Sequence, residues 1–295
     1  ASGPGMTGWQ TVFDGSHLRA ALFPGTKPVL VATFDFRRTT RQGFSELNNS
    51  SSFARQGYAQ ISISCRVNDW FINPDTLALE QALAAVAARY DSVRALGYSM
   101  GGYGAFRFAR ALRLDGIVAV SPQATIAQGA VRGDRRYRVE AAGFDPALGD
   151  LGSRGRDDLA GIIVTDPMNR LDLGHARLIR RAFPQVRLVP VGFAGHPASK
   201  LLREAGKAWL LQREAMAPVQ TGTAIREAHR AARRSSEAFW TALAKAAGPR
   251  RAALAAHAAE QAQAARARAD TARAALRASQ IAATERNAAG PRKAP

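Results

Sequence analysis

The most constraining feature of this sequence is a serine with a glycine two residues away on each side, Gly97-Tyr98-Ser99-Met100-Gly101. Residues 91–97 are predicted to form a short strand, and the residues after Ser99 are predicted to begin a helix. A serine at so tight a strand-to-helix turn has a strained backbone, and its neighbours must be nearly free of side-chain atoms. Because Gly97 and Gly101 meet this demand, the pattern predicts a Gly-x-Ser-x-Gly nucleophile elbow.

Segments typical of strands and helices alternate on both sides of this turn. Apolar and β-branched runs predict further strands over 29–34, 59–65, 114–122, 159–165 and 186–191. Two short runs, 10–13 and 18–23, are split by Asp14-Gly15 and predict an antiparallel hairpin at one sheet edge. Apolar residues at helical spacing predict helices over 74–90, 174–182 and 197–212. This alternation predicts an α/β fold, a mostly parallel sheet flanked by helices.

Composition narrows the class of protein. The single cysteine, Cys65, excludes an internal disulfide and a cysteine-based metal site, so we expect no metal and no cofactor. No apolar run reaches the length of a membrane span, and no charged-then-apolar leader is present. These features predict a cytoplasmic location. Ala1 to Gly5, before Met6, are interpreted as a vector-derived remnant, and residues 1–7 are expected to be disordered.

The elbow and its flanking strands resemble the α/β-hydrolase family of serine hydrolases, over roughly residues 8–214. In that family the chain runs strand, serine elbow, strand, lid, strand, acid, strand, histidine. The resemblance implies Ser99 as the nucleophile and an oxyanion hole that uses the Met100 N–H. A second N–H comes from the loop after the preceding strand. The glycine-rich form of that loop is missing here, and Phe36 is the candidate.

The resemblance also implies a lid and a general base. Residues 123–158 are rich in arginine and glycine and occupy the position of the lid, which at roughly 35 residues is short and implies a fairly open pocket. Of the five histidines, His196 alone lies on a loop after the last predicted strand, where the family has its general base. His175 falls inside a predicted helix and is interpreted as structural.

Two aspartates are candidates for the acid that orients this histidine and stabilises its protonated form. Asp166 directly follows the strand 159–165, and Asp172 lies six residues later. We prefer Asp166 because it is closer to the sheet. Asp172 is the alternative, which reaches the histidine if residues 168–171 loop back. The aspartate that is not the acid is expected to cap the following helix.

The loop after the strand 59–65 carries Asn68-Asp69-Trp70, an unusual cluster of polar and aromatic groups. Loops at the carboxyl ends of parallel strands bind ligands in open α/β sheets. We therefore predict that Asn68 and Trp70 contact the substrate. The alternative is a turn closed by Asn68 and packed by Trp70. The cluster bears a loose, short likeness to turns in bacterial capsule- and glycan-associated esterases.

The C-terminal part of the chain, 221–289, differs in composition from the rest. Residues 221–295 hold 14 Lys/Arg against 5 Asp/Glu, half of the net charge of +18. They are rich in alanine and arginine, which favour helices. Gly248-Pro249 divides the segment into predicted helices over 223–247 and 250–287, interpreted as an antiparallel hairpin packed on the body or on a second subunit. The alternatives are a single projecting helix and a basic arm attracted to an anionic surface.

Two classes of function follow. The first is a serine hydrolase that cleaves a small-molecule or glycan-linked carboxylic ester or thioester through an acyl-Ser99 intermediate, with His196 as general base. A variant of it is an acyltransferase that acts on a glycan hydroxyl. The second is a catalytically silent scaffold whose helical tail binds a protein partner or a second copy of the chain. The presence of Ser99, His196 and an acid in the family's order favours the first.

Overall fold

The computed structural model describes residues 8–156 and 158–288. The predicted vector remnant, 1–7, and Ala289, the last residue of the predicted helical extension, lie outside the described residues. The chain divides into two compact units between His229 and Arg230. The sequence predicts an earlier boundary, between 214 and 221. The difference arises because the first turns of the next helix contribute Ile225 to the core of the first unit.

The first unit contains an eight-stranded sheet. The strands are β1 (Gln10–Asp14), β2 (Leu18–Phe23), β3 (Val29–Phe34), β4 (Ala59–Cys65), β5 (Ser92–Tyr98), β6 (Gly116–Val120), β7 (Gly161–Thr165) and β8 (Val186–Pro190). Their spatial order is β1-β2-β4-β3-β5-β6-β7-β8. The pairings β1 with β2 and β2 with β4 are antiparallel, and all the others are parallel. This is an α/β-hydrolase fold, and the predicted fold class is confirmed.

The parallel register brings the carboxyl ends of six strands, β3 to β8, to one edge of the sheet. Thr33 of β3 pairs with Leu96 of β5, which pairs with Val118 of β6, and Val118 pairs with Ile162 of β7. Loops that follow these strands therefore meet at the same edge, where open α/β sheets bind their ligands. The residues predicted for the site lie on these loops.

Nine helices accompany this sheet in the chain as described. They are α1 (Ser51–Arg55), α2 (Thr76–Ala87), α3 (Met100–Arg107), α4 (Arg138–Ala141), α5 (Leu151–Arg154), α6 (Arg170–Ala182), α7 (Lys200–Glu204), α8 (Trp209–Ala215) and α9 (Thr223–Ala232). The segment 48–52 is predicted to be irregular, but α1 begins at Ser51 because it buries Phe53. The predicted helix 197–212 is two helices, α7 and α8, with Gly206 between them at φ +66°.

Side chains alternate between the two faces of a strand, and both faces of this sheet are covered. On one face, α2, α3 and α6 pack against a core that includes Ile61 and Ile163. On the other, α1, α7, α8 and the start of α9 pack against a core that includes Val31, Val118 and Val164. Burial on both faces explains why these strands read as continuous apolar runs rather than alternating ones.

The second unit contains the end of α9, a 3₁₀ turn at Arg233–Ser235, α10 (Glu237–Ala247), a 3₁₀ turn at Pro249–Arg251 and α11 (Ala252–Ala288). The predicted single helix 223–247 is interrupted because Ser236 leaves the helix and its hydroxyl caps the Phe239 N–H. Helices α10 and α11 pack together, with the Trp240 and His257 ring centroids 6.0 Å apart. Binding of a partner through this unit stays a prediction. Within the described residues no helix, α11 included, is long and apolar enough to cross a membrane.

Candidate active site

Ser99 lies at the turn between β5 and α3, with a left-handed φ of +50°. A Cβ added at Gly97 would lie 2.5 Å from the Gly101 carbonyl oxygen, and one added at Gly101 would lie 2.7 Å from the Phe34 carbonyl oxygen. Both neighbours are backbone atoms that cannot rotate away. Glycine is therefore required at both positions, for the reason that the sequence pattern suggested.

The two predicted oxyanion donors differ in their surroundings. Met100 is the first residue of α3, and N–H groups in the first turn of a helix have no acceptor within the helix. The partial positive charge of a helix N-terminus also favours a nearby anion. The Phe36 N–H instead donates to the Asp35 carboxylate, at 3.0 Å. The oxyanion roles of Met100 and Phe36 stay predictions.

His196 lies on the loop after β8, and its Nε2 is 3.0 Å from the Ser99 hydroxyl oxygen. Asp166, buried at the end of β7, forms hydrogen bonds with the backbone of this loop. Its two carboxylate oxygens accept the Phe193 and Gly195 N–H groups, each at 2.9 Å. Asp166 thus fixes the backbone that presents His196.

Asp172, the alternative acid, rather than Asp166, contacts the histidine. Its Oδ2 lies 2.7 Å from His196 Nδ1, which corrects the preference for Asp166. The physical reason is that α6 begins at Arg170, four residues earlier than predicted. The Asn169 side chain accepts the Asp172 N–H and caps the helix, so Asp172 falls in its first turn. The expectation that the other aspartate caps this helix is likewise corrected.

These contacts determine which nitrogen of His196 carries a proton. An ionised carboxylate can only accept hydrogen bonds, so the Nδ1–H donates to Asp172. Nε2 is then the lone-pair nitrogen and can accept the Ser99 proton. Gln123 Oε1 offers the hydroxyl a second acceptor at 3.3 Å. No pattern in the sequence predicts this contact with Gln123.

A cation from the segment 123–158 contacts Asp172. Arg136 Nη1 lies 2.9 Å from Asp172 Oδ1, while the same guanidinium binds Asp134. Burial alone would raise the pKa of Asp172, but hydrogen bonds and charge from His196 and Arg136 hold that pKa below its ordinary value. Asp172 therefore stays ionised, although its side chain is fully buried.

The same network continues to His175 in α6. The Ala124 N–H donates to its Nδ1 at 3.2 Å, so its Nε2–H donates to Asp134 at 2.8 Å. Burial lowers the pKa of His175 despite the nearby carboxylate. Burial favours the neutral form of Asp134, but hydrogen bonds from Arg136 and His175 lower its pKa to about 2. A neutral His175 and an ionised Asp134 thus hold Arg136 in place.

Asn68 and Trp70, the two residues predicted to bind substrate, both form hydrogen bonds with other residues of the protein. Asn68 accepts hydrogen bonds from the Arg38 N–H and Arg41 Nε and donates to the Arg38 carbonyl oxygen. Trp70 is 0% exposed, which corrects the prediction that this side chain contacts the substrate directly. Its Nε1–H donates to Gln123 Oε1 at 3.2 Å, the oxygen that also faces Ser99. The substrate contact of Asn68 stays a prediction.

Ser99 and His196 open into a mainly apolar cavity of about 450 Å³. Its lining comes from the loop after β3, the elbow, the histidine loop, α7, α8 and the segment 123–158: Phe36, Arg37, Tyr98, Ser99, Tyr137, His196, Pro197, Ser199, Arg203, Ala208 and Leu211. Arg37 is neutralised by Glu140, 2.8 Å away. Among the described residues no group of three or more His, Cys, Asp or Glu side chains is placed to hold a metal ion.

No family model and no curated protein sequence matches this chain. Solved structures with a similar fold include a capsule O-acetyltransferase of Neisseria meningitidis serogroup A, 16% identical over 72% of this chain and 97% of that one, with a TM-score of 0.49. Est1E from Butyrivibrio proteoclasticus is 16% identical over 70% and 98%, with a TM-score of 0.43. XC6422 from Xanthomonas campestris, a serine hydrolase without a lid, is 17% identical over 72% and 97%, also at 0.43. The fold assignment rests on the strand order and not on these distant similarities.

Proposed function

We propose that this protein is a serine hydrolase that cleaves a carboxylic ester or thioester through an acyl-Ser99 intermediate. The observation that carries the proposal is the unbroken chain of contacts from the Ser99 hydroxyl to His196 Nε2, at 3.0 Å, and from His196 Nδ1 to Asp172, at 2.7 Å. Serine is a poor nucleophile at neutral pH without a base, and this arrangement supplies one with its lone pair on the correct nitrogen.

In the first half of the reaction, His196 Nε2 takes the proton of Ser99 as its oxygen attacks the acyl carbonyl carbon. The carbonyl oxygen becomes an oxyanion, which the Met100 N–H stabilises at the start of α3. The tetrahedral intermediate collapses, and His196 gives the proton to the departing alcohol or thiol. In the second half, His196 activates a water molecule, which attacks the acyl-enzyme and releases the acid.

Asp172 and its neighbours have a supporting role in this mechanism. The carboxylate orients the imidazole through the Nδ1–H and stabilises the imidazolium that forms in each half-reaction. Arg136 keeps Asp172 ionised and fixes its second oxygen, while Asp166 fixes the backbone of the histidine loop. Asp172 is therefore the triad acid in this proposal, and Asp166 is a positioning residue.

The second oxyanion donor needs a local change. Phe36 remains our candidate because it follows β3 and lines the cavity with Ser99. Its N–H must exchange the Asp35 carboxylate for the oxyanion, since it now donates to the carboxylate at 3.0 Å. A developing oxyanion next to the Met100 N–H is a strong competitor for such a donor.

Two of the earlier alternatives differ from this proposal at a single step. An acyltransferase forms the same acyl-enzyme and replaces water with a glycan hydroxyl in the second half. A silent scaffold forms no acyl-enzyme. The separation of Ser99 and His196 by one hydrogen bond, beside a cavity large enough for a small ligand, disfavours the scaffold.

Labelling with a fluorophosphonate tests the proposal. The reagent reacts with a serine that a base has activated, so the wild-type protein should be labelled on the peptide that contains Ser99. Ser99→Ala should abolish labelling, and Ser153→Ala, on an exposed turn of α5, should leave it unchanged. Absence of labelling in the folded wild-type protein would contradict the proposal and support the scaffold.

A further inference from the structure

One face of β4 is unusual for a strand in the middle of a buried sheet. Gln60, Ser62 and Ser64 alternate along this face and are all buried, whereas Ile61 and Ile63 on the opposite face belong to the apolar core. A buried polar group costs free energy unless it has a hydrogen-bond partner. Three such residues in a row therefore require an explanation.

The loop 42–50 satisfies part of this face. The Ser50 N–H donates to Gln60 Oε1 at 2.8 Å, and the Asn48 N–H donates to the Ser62 hydroxyl at 3.4 Å. The Ser64 hydroxyl has no hydrogen-bond partner among the described residues, although the residue is only 2% exposed. A buried hydroxyl without a partner in a folded protein points to something that the protein itself does not supply.

A second cavity, of about 400 Å³, lies between this face and the loop. Hydroxyl, amide and carboxylate groups dominate its lining, which consists of Thr33, Phe34, Asp35, Phe36, Arg38, Ser45, Glu46, Leu47, Asn48, Ser50, Gln60, Ser62, Ile63 and Ser64. Its volume is within the range of small-molecule sites. The Asp35 carboxylate is neutralised by Arg41 at 2.7 Å. The other charged side chains in the lining, Arg38 and Glu46, have opposite signs.

This polar cavity adjoins the apolar cavity that contains Ser99. Phe36 lines both of them. Asp35 lines the polar cavity and accepts the Phe36 N–H, which is our candidate for the second oxyanion donor. The two cavities therefore have Phe36 as a common wall, beside the place where an ester group bound at Ser99 would lie.

We propose that the polar cavity binds the alcohol part of the substrate and that this alcohol is rich in hydroxyl groups, a saccharide or another polyol. The inference rests on the proposed function, and it assigns the acyl group to the apolar cavity. A polyol offers both donors and acceptors in several directions, which matches the Ser64, Ser62 and Gln60 side chains. An apolar alcohol leaves the Ser64 hydroxyl without a partner, and sites built to form hydrogen bonds reject such analogues.

Two acetyl esters that differ only in the alcohol test this inference. The ratio of kcat/KM for 6-O-acetylglucose to that for phenyl acetate is measured in the wild-type protein, in Ser64→Ala and in Ser64→Leu. We expect the ratio to fall about tenfold in Ser64→Ala, which removes one hydroxyl, and further in Ser64→Leu, which fills the cavity. Cys65→Ala, on the opposite face of β4, is the matched control and should leave the ratio unchanged. An equal ratio in all four proteins overturns the inference.

Binding to the Ser99→Ala variant separates this inference from the proposed function. Saturation-transfer NMR with glucose and myo-inositol should give signals that disappear when Ser64→Leu is added, and cyclohexanol should give none. If neither polyol gives a Ser64-dependent signal, the inference is wrong, even when fluorophosphonate labels Ser99. If the signals appear but fluorophosphonate does not label Ser99 in the wild-type protein, the cavity binds polyols and the proposed function fails.

Discussion

The candidate active site has a serine side, around Ser99, and a histidine side, around His196. The chain forms the two sides in different ways. On the serine side, five consecutive residues suffice, and the turn depends on the absence of Cβ atoms at Gly97 and Gly101. On the histidine side, carboxylates from distant parts of the chain hold a loop and a ring. Asp166 binds backbone N–H groups 27 and 29 residues away, at Phe193 and Gly195.

This contrast separates two kinds of sensitivity. Contacts between backbone atoms respond to volume, because a peptide group cannot rotate out of the way. Contacts with carboxylates respond to charge, because the hydrogen bonds of an ionised group are about twice as strong as neutral ones. Isosteric changes should therefore damage the histidine side more, and added methyl groups should damage the serine side more.

The largest effect is expected for Asp172→Asn, which keeps volume and removes charge. The amide donates toward Nδ1 and stabilises the wrong tautomer of His196, so kcat for 4-nitrophenyl acetate should fall about 10⁴-fold. Steady-state kinetics of the wild-type protein and the variant measure this. A loss smaller than that for Asp166→Asn would assign the acid to the other aspartate.

Asp166→Asn should have the next largest effect. The variant weakens hydrogen bonds to the Phe193 and Gly195 N–H groups and loosens the loop of His196, which should lower kcat about 100-fold. Unlike Asp172→Asn, it should also lower the thermal unfolding midpoint clearly. Asp158→Asn, which alters an exposed pair with Arg156, is the control and should change neither quantity. Unchanged kcat in Asp166→Asn would argue against a positioning role.

Gly101→Ala examines the serine side. Its new Cβ would lie 2.7 Å from the Phe34 carbonyl oxygen, so the free energy of unfolding in urea should fall by about 1–3 kcal/mol. Gly152→Ala in α5 is the matched control, since its nearest neighbour is an Asp150 side-chain atom at 3.4 Å. That control should be neutral or slightly stabilising. Equal effects at the two glycines would mean that the elbow relaxes around the added methyl group.

The smallest effect is expected in how the stability of the fold depends on pH through Asp134. Asp134 has a pKa of about 2 in the folded protein and an ordinary value of 3.8, so its ionised form stabilises the fold above about pH 4. That contribution is lost as the pH falls from about 4 to 2. Asp134→Asn should therefore be less stable than the wild-type protein at pH 6, and the difference should shrink over this interval. Urea midpoints at a series of pH values measure it, and parallel curves down to pH 2 would contradict it.

The serine side of the site and almost all of the sheet could be predicted from the sequence. The ends of the strands are predicted to within two residues, because most of the runs are buried on both faces and polar turns bound them. The serine, its glycines and the position of the histidine loop follow from local patterns. The placement of α1 was missed because a single buried aromatic residue, Phe53, decides it.

The aspartate that contacts His196 could not be predicted from local sequence, since the contact joins Asp172 to a residue 24 positions away. One signal was available. Asn169 is a favourable N-cap, and starting the helix there places Asp172 in its first turn, close to the sheet edge. No such signal predicts the contacts of Asp134 and Arg136, because their segment has no periodic pattern and a run of arginines is typical of a solvated surface.

The adjacency of Arg136 and Tyr137 restricts how this protein can be altered. Arg136 contacts Asp172, the acid of the proposed triad, and the next side chain along the chain forms part of the wall of the apolar cavity. If the proposed function holds, redesign of that wall for a different acyl group will perturb the charge beside His196 unless the two adjacent residues are treated separately. Grafting the segment 123–158 from another enzyme should succeed only when the graft keeps a cation against Asp172 together with the new wall.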